Sequence, residues 1–246
     1  MPTAQKSGAA NTKAHTTTGI LIVEDNTVFR EALVELLNKH ADLRVVGQAD
    51  NVRDALQFLI KAQASVGIVL VNITLKGRSG LELIKDMSAH GINIPALVLS
   101  MNGGLLYAER SLRAGAKGYV SKYSTSKDLM LAIQTALRGE IYLSPDVALK
   151  LLSGLFASKQ STGLAQLTDR ELEIFRLIGC GTRTGDIAKQ LHLGRPTVET
   201  YRRRIKLKLR LESGHRLVHE AFRWVQSGEE TPLILIPVLL SCCTTL

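Results

Sequence analysis

The sequence has little cysteine, with three residues in 246, at Cys180, Cys242 and Cys243. This odd and sparse set excludes a disulfide framework and a cysteine-rich metal cluster, and it predicts a cytoplasmic protein with reduced thiols. Long hydrophobic runs are also scarce: the longest, residues 232–240 (PLILIPVLL), is too short to span a bilayer and contains two prolines. It predicts a floppy or docked C-terminal tail at 229–246, and a membrane or partner anchor is the alternative.

Acidic residues are outnumbered, since 31 Lys and Arg oppose 22 Asp and Glu. Apolar residues make up 45% of the chain, which excludes wholesale disorder. The basic excess is concentrated in residues 164–228, with 13 basic and 7 acidic residues. That asymmetry predicts two functional units and points to an acidic partner such as nucleic acid. Residues 1–18 are polar and predict a disordered tail rather than a signal peptide.

Residues 19–140 alternate short apolar runs with amphipathic helical patterns. Several runs are unbroken, as expected for strands covered on both faces. Five such repeats predict an α/β unit, with a five-stranded parallel, doubly wound sheet. The predicted strands are Ile20–Val23, Leu43–Val46, Gly67–Val71, Ala96–Leu99 and Gly118–Val120, and the predicted helices are Thr27–Lys39, Val52–Ala62, Ser79–Ala89, Leu105–Ala114 and Ser126–Leu137. Ser79 and Ser126 are the predicted N-caps, and Gly115 is a predicted helix stop.

Polar residues follow four of these predicted strands. They are Glu24 and Asp25, Asn72, Ser100, and Lys122. Ligands of such sheets bind beyond the carboxyl ends of the strands, so these side chains should converge. Paired carboxylates favour Mg²⁺, and a hydroxyl with an ammonium group could hold a phosphoryl group above it. The alternative is that strand ends are polar only because they meet solvent.

The stretches ILIVEDN, VLVNITLKGRSGLELI, ALVLS and AGAKGYVSK make this segment resemble the receiver domain of two-component response regulators. In that family, with its flavodoxin-like fold, an acidic pair binds Mg²⁺ and an Asp ending the third strand accepts a phosphoryl group. A hydroxyl and a lysine contact that group, and a fifth-strand aromatic often couples to switching. Carried over by resemblance, the acidic pair is Glu24 and Asp25, the hydroxyl is Ser100, the amine is Lys122, and the switch aromatic is Tyr119.

The phosphoacceptor position departs from the family, because it holds Asn72. A carboxamide is neutral and poorly nucleophilic, and it cannot become an acyl phosphate. The pocket also loses one negative charge, which should weaken Mg²⁺ binding at Glu24 and Asp25. Lys76 stands where the family has a proline. The sequence therefore predicts a receiver fold that is not phosphorylated in the usual way.

Residues 164–228 contain four helical patterns after a helical linker at 141–163. Thr168 and Glu171 form a predicted capping box ahead of the first apolar stripe. A second helix, a short glycine-bearing turn at 192–194 and a basic third helix predict a helix-turn-helix. Residues 195–210 hold seven Arg and Lys against one Glu. A solvated basic helix is the alternative to a helix that enters a major groove.

The stretch LTDRELEIFRLIGCGTRTGDIAKQLHL, followed by TVETYRRRIKLKL, resembles the LuxR/GerE-type DNA-binding domain. Three departures stand out: Pro196 where a lysine is common, Arg210 where glycine is usual, and Gly185 inside the second helix. A left-handed conformation at residue 210 would be strained for arginine. By resemblance, the DNA-facing residues are Thr197, Glu199, Thr200, Arg203 and Arg204, with Lys206 and Lys208 adding charge.

The two units together resemble NarL/LuxR-type response regulators. The resemblance implies a cytoplasmic transcriptional regulator that binds double-stranded DNA as a homodimer. Val218, Phe222 and Trp224 would be core or dimer-contact residues of the fourth helix, and a protein regulator could act on the receiver. One alternative is an interaction module with a degenerate helix-turn-helix. An enzyme that uses Asp25 as a phosphoryl nucleophile is disfavoured, because no second catalytic acid or base follows a matching strand.

Overall fold

The computed structural model describes residues 17–101, 105–156 and 163–226. The predicted tails at 1–18 and 229–246 lie outside these ranges, except for residues 17 and 18, and Thr18 already belongs to the first strand. Within the described ranges, no helix is long and apolar enough to cross a membrane.

The first half alternates strands and helices, as the hydrophobic periodicity predicts. The strands are β1 (Thr18–Val23), β2 (Leu43–Ala49), β3 (Ile68–Asn72), β4 (Ala96–Ser100), β5 (Gly118–Ser121) and β6 (Tyr142–Leu143). The helices are α1 (Thr27–Asn38), α2 (Val52–Ala62), α3 (Gly80–Ala89), α4 (Leu105–Arg113) and α5 (Ser126–Leu137), with a 3₁₀ turn at Gln63–Ser65.

All strand pairs are parallel, and the sheet order is β2-β1-β3-β4-β5-β6. The prediction of five strands is wrong by one edge strand. Tyr142 pairs with Gly118 inside the segment expected to be a helical linker. A two-residue strand leaves no periodic pattern in a sequence, because it is shorter than one alternation of faces.

The central strands are covered on both faces, which explains their unbroken apolar runs. Leu21 and Val23 of β1 belong to one buried cluster, whereas Ile20 and Ile22 belong to the other. Every residue of β3 and β4 is buried. The sheet therefore supplies a rigid floor from which the residues at its carboxyl edge project.

Helix boundaries follow local capping chemistry. Ser79 caps α3 as predicted, since its hydroxyl accepts a hydrogen bond from the Leu81 amide. The predicted cap at Ser126 is wrong by one residue. Thr125 caps α5 instead, in a reciprocal capping box with Asp128 that satisfies two backbone amides. Gly115 follows the end of α4 with φ 102°, as expected of a helix stop.

The second half is helical among the described residues. It consists of α6 (Pro145–Phe156), a 3₁₀ turn at Gly163–Gln166, α7 (Asp169–Gly179), α8 (Thr184–Gln190), α9 (Arg195–Lys208) and α10 (Gly214–Gln226). The predicted capping box of Thr168 and Glu171 is confirmed. Of the three α10 residues predicted to be core or dimer contacts, Trp224 is buried, whereas Val218 and Phe222 are 43% and 52% exposed.

Helices α7, α8 and α9 all end in the same way. In each, the residue after the C-cap has a positive φ, and the two following amides close onto the last turn as in a Schellman motif. The first of these positions is Gly181, whereas the other two are His192 (φ 52°) and Arg210 (φ 54°). The left-handed conformation expected at Arg210 is confirmed.

Candidate functional site

The carboxyl edge of the sheet gathers most of the predicted receiver pocket. Glu24, Asp25, Asn72 and Lys122 line a cavity of about 390 Å³. Ser100 is fully buried at the end of β4 and is not among the lining residues. Tyr119, the predicted switch aromatic, lies in the core with 3% of its surface exposed.

Asn72 is the central residue of this pocket. Its side-chain nitrogen donates hydrogen bonds to Glu24 Oε1 and Asp25 Oδ1, both at 3.1 Å, and to the Thr74 carbonyl at 2.6 Å. An amide nitrogen has two hydrogens, so three acceptors share them. Asn72 is 6% exposed. The amide thus acts as a donor between two carboxylates, the opposite role from that of an aspartate.

Lys122 balances the charge of Glu24 in the acidic pair. Its Nζ lies 2.5 Å from Glu24 Oε2, and the side chains of Lys122 and Glu24 are 6% and 1% exposed. The ammonium group also lies 4.5 Å from the centre of the Phe29 ring, a cation–π contact. Burial raises the pKa of Glu24 above its usual value of 4.5, although the Lys122 hydrogen bond and charge act in the opposite direction.

The donor set of this pocket does not fit a Mg²⁺ ion. Mg²⁺ takes oxygen ligands in near-octahedral geometry, whereas the space between Glu24 and Asp25 receives N–H groups. Among the described residues, no group of three His, Cys, Asp or Glu side chains could hold a metal ion. Asn72, the two carboxylates and Lys122 instead form one hydrogen-bonded network.

The chain around Asn72 is fixed by a close approach to α3. A Cβ on Gly80 would lie 2.1 Å from the Asn72 carbonyl oxygen, so only glycine allows this contact. The Gly80 amide donates to Ile73 O at 2.9 Å. Lys76, which replaces the family's proline, forms a 3.1 Å ion pair with Asp50. These contacts hold the end of β3 against the pocket.

The basic helix α9 presents most of its predicted DNA-facing residues to solvent. Val198 and Ile205 are buried against the domain core, which orients the opposite face outward. Thr197, Glu199, Arg203 and Arg204 are exposed, whereas Thr200, Lys206 and Lys208 are half-buried. Their roles at DNA stay predictions.

Two of the predicted DNA contacts also have partners on the neighbouring helices. Glu199 accepts a 3.0 Å hydrogen bond from Thr184, at the start of α8. Lys208 lies 2.5 Å from Glu171 of α7. Burial acts to raise the pKa of Glu171, but hydrogen bonds from Lys208 and Thr168 hold it below its usual value of 4.5. These contacts fix the orientation of α9 relative to α7 and α8.

An ion-pair cluster joins the two halves of the molecule. Asp169, the first residue of α7, lies 2.9 Å from both Lys85 of α3 and Arg110 of α4. Arg110 also donates to the Leu164 carbonyl at 2.9 Å. The side chains of Arg110 and Asp169 are only 13% and 11% exposed. Sequence reasoning missed this cluster, because Arg110 and Lys85 precede Asp169 by 59 and 84 positions and no local pattern links them to it.

The cavity at the sheet edge is also lined from the second half. Arg176 of α7, Gln190 of α8 and His192 face it from outside the receiver. The turn that leads into α9 therefore stands close to the pocket containing Asn72. A parallel sheet with this pocket, joined to a helix-turn-helix with an exposed basic helix, defines the class of response regulators with DNA-binding output domains.

Comparison with known proteins agrees with that class. Residues 20–134 match the response regulator receiver domain, and residues 165–221 match the bacterial regulatory proteins of the luxR family. A putative transcriptional regulator of Pseudomonas aeruginosa is 34% identical over 79% of this chain and 92% of its own. DesR of Bacillus subtilis, a transcriptional regulatory protein, is 33% identical over 79% of this chain and 91% of its own.

Solved structures show the same fold. A LuxR-family two-component response regulator from Aurantimonas matches with a TM-score of 0.54 and 28% identity, over 57% of this chain and 99% of that chain. RcsB of Salmonella enterica, solved on promoter rprA with a phosphomimetic, has a TM-score of 0.55 and 22% identity, over 84% of this chain and 98% of that chain. The chain belongs to the LuxR-family response regulators, which are DNA-binding transcriptional regulators rather than enzymes.

Proposed function

We propose that this regulator controls transcription without accepting a phosphoryl group at residue 72. The observation that carries the proposal is the amide of Asn72, which donates to both Glu24 and Asp25. In this proposal, residues 19–140 form the receiver, 141–163 the linker and 164–228 the DNA-binding domain. The receiver then serves as a platform for a protein regulator.

The chemistry of the pocket supports this proposal. An acyl phosphate forms when a carboxylate oxygen attacks phosphorus. Asn72 offers no such oxygen, and its nitrogen is engaged by three acceptors. Lys122, which would contact a phosphoryl group in the family, is paired with Glu24. Asn72 and Lys122 are therefore both hydrogen-bonded to other residues of the pocket.

We further propose that α9 reads DNA and that α10 contributes to a homodimer. Arg203 and Arg204 lie exposed on α9, where arginine can contact phosphates and guanine edges. On α10, Val218 and Phe222 are 43% and 52% exposed, which leaves two large apolar side chains available to a second copy.

The test of the receiver proposal is the incubation of the full chain with a small phosphodonor and Mg²⁺, followed by intact-mass measurement. The native chain should gain no phosphoryl group at residue 72, and Asn72→Asp provides the matched control for a restored acceptor. A stable phosphoryl group at residue 72 of the native chain would refute the proposal.

The test of the DNA proposal uses oligonucleotides selected from a random pool. Arg203→Ala should lose about 1–3 kcal/mol of binding free energy, and binding should weaken steeply with salt. Arg53→Ala, at an exposed arginine on α2, is the control and should bind as the native chain does. Equal affinity of both variants would contradict the assignment of α9.

An interaction module with a degenerate helix-turn-helix is the second candidate. Pro196 at the start of α9 and the left-handed Arg210 at its end favour it, because both depart from the family pattern. The same selection separates the two functions. Recovery of no preferred sequence at low salt, from well-folded full-length protein, would favour the interaction module.

A further inference from the structure

An apolar groove of about 770 Å³ runs along α10 of the DNA-binding domain. Its apolar lining is Leu164, Phe175, Leu209, Leu211, Phe222 and Trp224. The rings of Phe175 and Trp224 lie 5.6 Å apart and form part of the wall. The charged lining residues are Glu220 and Arg223, which lie 3.4 Å from each other. The groove thus offers a ligand mainly hydrophobic contact.

The position of the groove points to the chain's own C-terminal segment as its occupant. Gln226, the last residue of α10, lines the groove, and the chain continues from that point. Five residues, 227–231, separate it from the apolar run at 232–240. At about 3.3–3.6 Å per residue, that spacer reaches roughly 17 Å, nearly the length of α10 itself.

The composition of the segment matches the groove. The run PLILIPVLL has no charge, so it gains free energy when apolar walls replace water. Pro232 and Pro237 disfavour a continuous helix, which suits an extended segment in the groove. Glu229 and Glu230 precede the run, and the Arg223 side chain is 66% exposed at the rim. Nine residues are too few to cross a bilayer.

We propose that residues 232–240 dock into this groove of their own domain and cover Phe222 and Trp224. In this arrangement, residues 232–240 extend the apolar core of the domain when they are docked and expose its edge when they dissociate. Phe222 is also one of the two side chains proposed to contact a second copy of the chain. The docked tail and the second copy therefore compete for the same side chain. This inference does not depend on DNA readout by α9, which lies outside the groove except for the neighbouring Leu209.

Trp224 is the only tryptophan of the chain, and it lines the groove with 7% of its surface exposed, so its fluorescence reports a change in the cover of this wall. Acrylamide quenching of its fluorescence should be weak in the full chain and stronger in a chain ending at Ser227, with emission shifted to longer wavelength. A synthetic peptide of residues 229–246 should restore protection, and the same peptide with Ile234→Asp and Ile236→Asp should not. Equal quenching of the full and shortened chains would overturn the proposal.

Full-length variants keep the test valid if the shortened chain fails to fold. Ile236→Asp in the full chain should raise quenching, whereas Thr244→Asp, outside the apolar run, should not. In the peptide titration, Phe222→Asp should abolish protection and Val218→Asp should preserve it, because only Phe222 lines the groove. If quenching of the full chain instead rises on dilution as dimers dissociate, the occupant is a second copy and the proposal fails.

Discussion

At the scale of single residues, one amide decides the chemistry of the receiver pocket. Glu24 and Asp25 would repel each other across a site that lacked a positive partner. The Asn72 amide donates to both carboxylates, and Lys122 neutralises Glu24. The two carboxylates therefore find their hydrogen-bond donors and a positive charge within the pocket. Replacing the Asn72 amide with a carboxylate should remove the shared donor and restore the repulsion.

Asn72→Asp should lower the free energy of unfolding by about 1–3 kcal/mol without Mg²⁺, because a third carboxylate replaces a shared donor. Millimolar Mg²⁺ should restore part of that loss in the variant and leave the native chain unchanged. Chemical denaturation with and without Mg²⁺ measures both effects. Asn93→Asp, in an exposed loop, adds the same charge and should be nearly neutral in either condition. Stabilisation of the native chain by Mg²⁺ would show that the pocket binds the ion despite Asn72.

Glu24 should also leave a signature in the pH dependence of stability. Burial raises its folded-state pKa above the usual 4.5, so the folded state binds this proton more tightly than the unfolded state. The contribution of Glu24 to the free energy of unfolding should therefore fall as pH rises from about 4.5 through the raised pKa. Glu24→Gln should remove that slope. Identical pH profiles for both chains would show that Glu24 is not perturbed.

At the scale of secondary-structure elements, the ends of the helices in the DNA-binding domain set the orientation of α9. Three successive helices stop in left-handed residues, and only one of these is glycine. Each left-handed non-glycine residue costs roughly 1–2 kcal/mol. The domain therefore carries this backbone strain at His192 and Arg210, which lie before and after the basic helix α9.

Arg210→Gly should raise the free energy of unfolding by about 1 kcal/mol, because glycine adopts φ 54° without a Cβ clash. Thermal or urea denaturation tests this. Lys189→Gly, at an exposed position inside α8, is the opposite control and should lower stability by about 0.7–1 kcal/mol. A destabilised Arg210→Gly would mean that the arginine side chain makes a contact outweighing its backbone strain.

Most elements could be predicted from the sequence because periodicity and caps are local signals. The Thr168 capping box and the strain at Arg210 are of this kind, since the deciding residues lie within a few positions of one another. The strand Tyr142–Leu143 could not be predicted, because its two residues gain their conformation only by pairing with β5. The pocket residues were predictable from strand ends, but the three acceptors of the Asn72 amide required coordinates.

At the scale of the whole molecule, Asp169 holds the two halves together. Lys85 and Arg110 meet it from α3 and α4, and the latter pair is largely shielded from water. Removal of one partner from a shielded ion pair leaves the others unpaired and costs more than the loss of an exposed pair. With the halves docked in this way, Arg203 and Arg204 of α9 stay exposed, so docking does not bury the basic face.

Asp169→Asn should loosen this arrangement, because the amide cannot balance the charges of Lys85 and Arg110. Small-angle X-ray scattering should show a larger radius of gyration for the variant at physiological salt. Asp146→Asn, at an exposed position of α6, removes the same charge and should leave the radius unchanged. An unchanged radius in Asp169→Asn would mean that the ion-pair cluster does not hold the domains together.

We propose that a pocket closed by Asn72 is joined to a domain that reads DNA without a phosphorylation signal. The most direct measurement is the affinity of the full chain for a selected DNA site, titrated with and without a small phosphodonor and Mg²⁺. We expect sequence-preferring, salt-sensitive binding with the same affinity in both titrations. A phosphodonor-dependent change in affinity, accompanied by a phosphoryl group on residue 72, would contradict it.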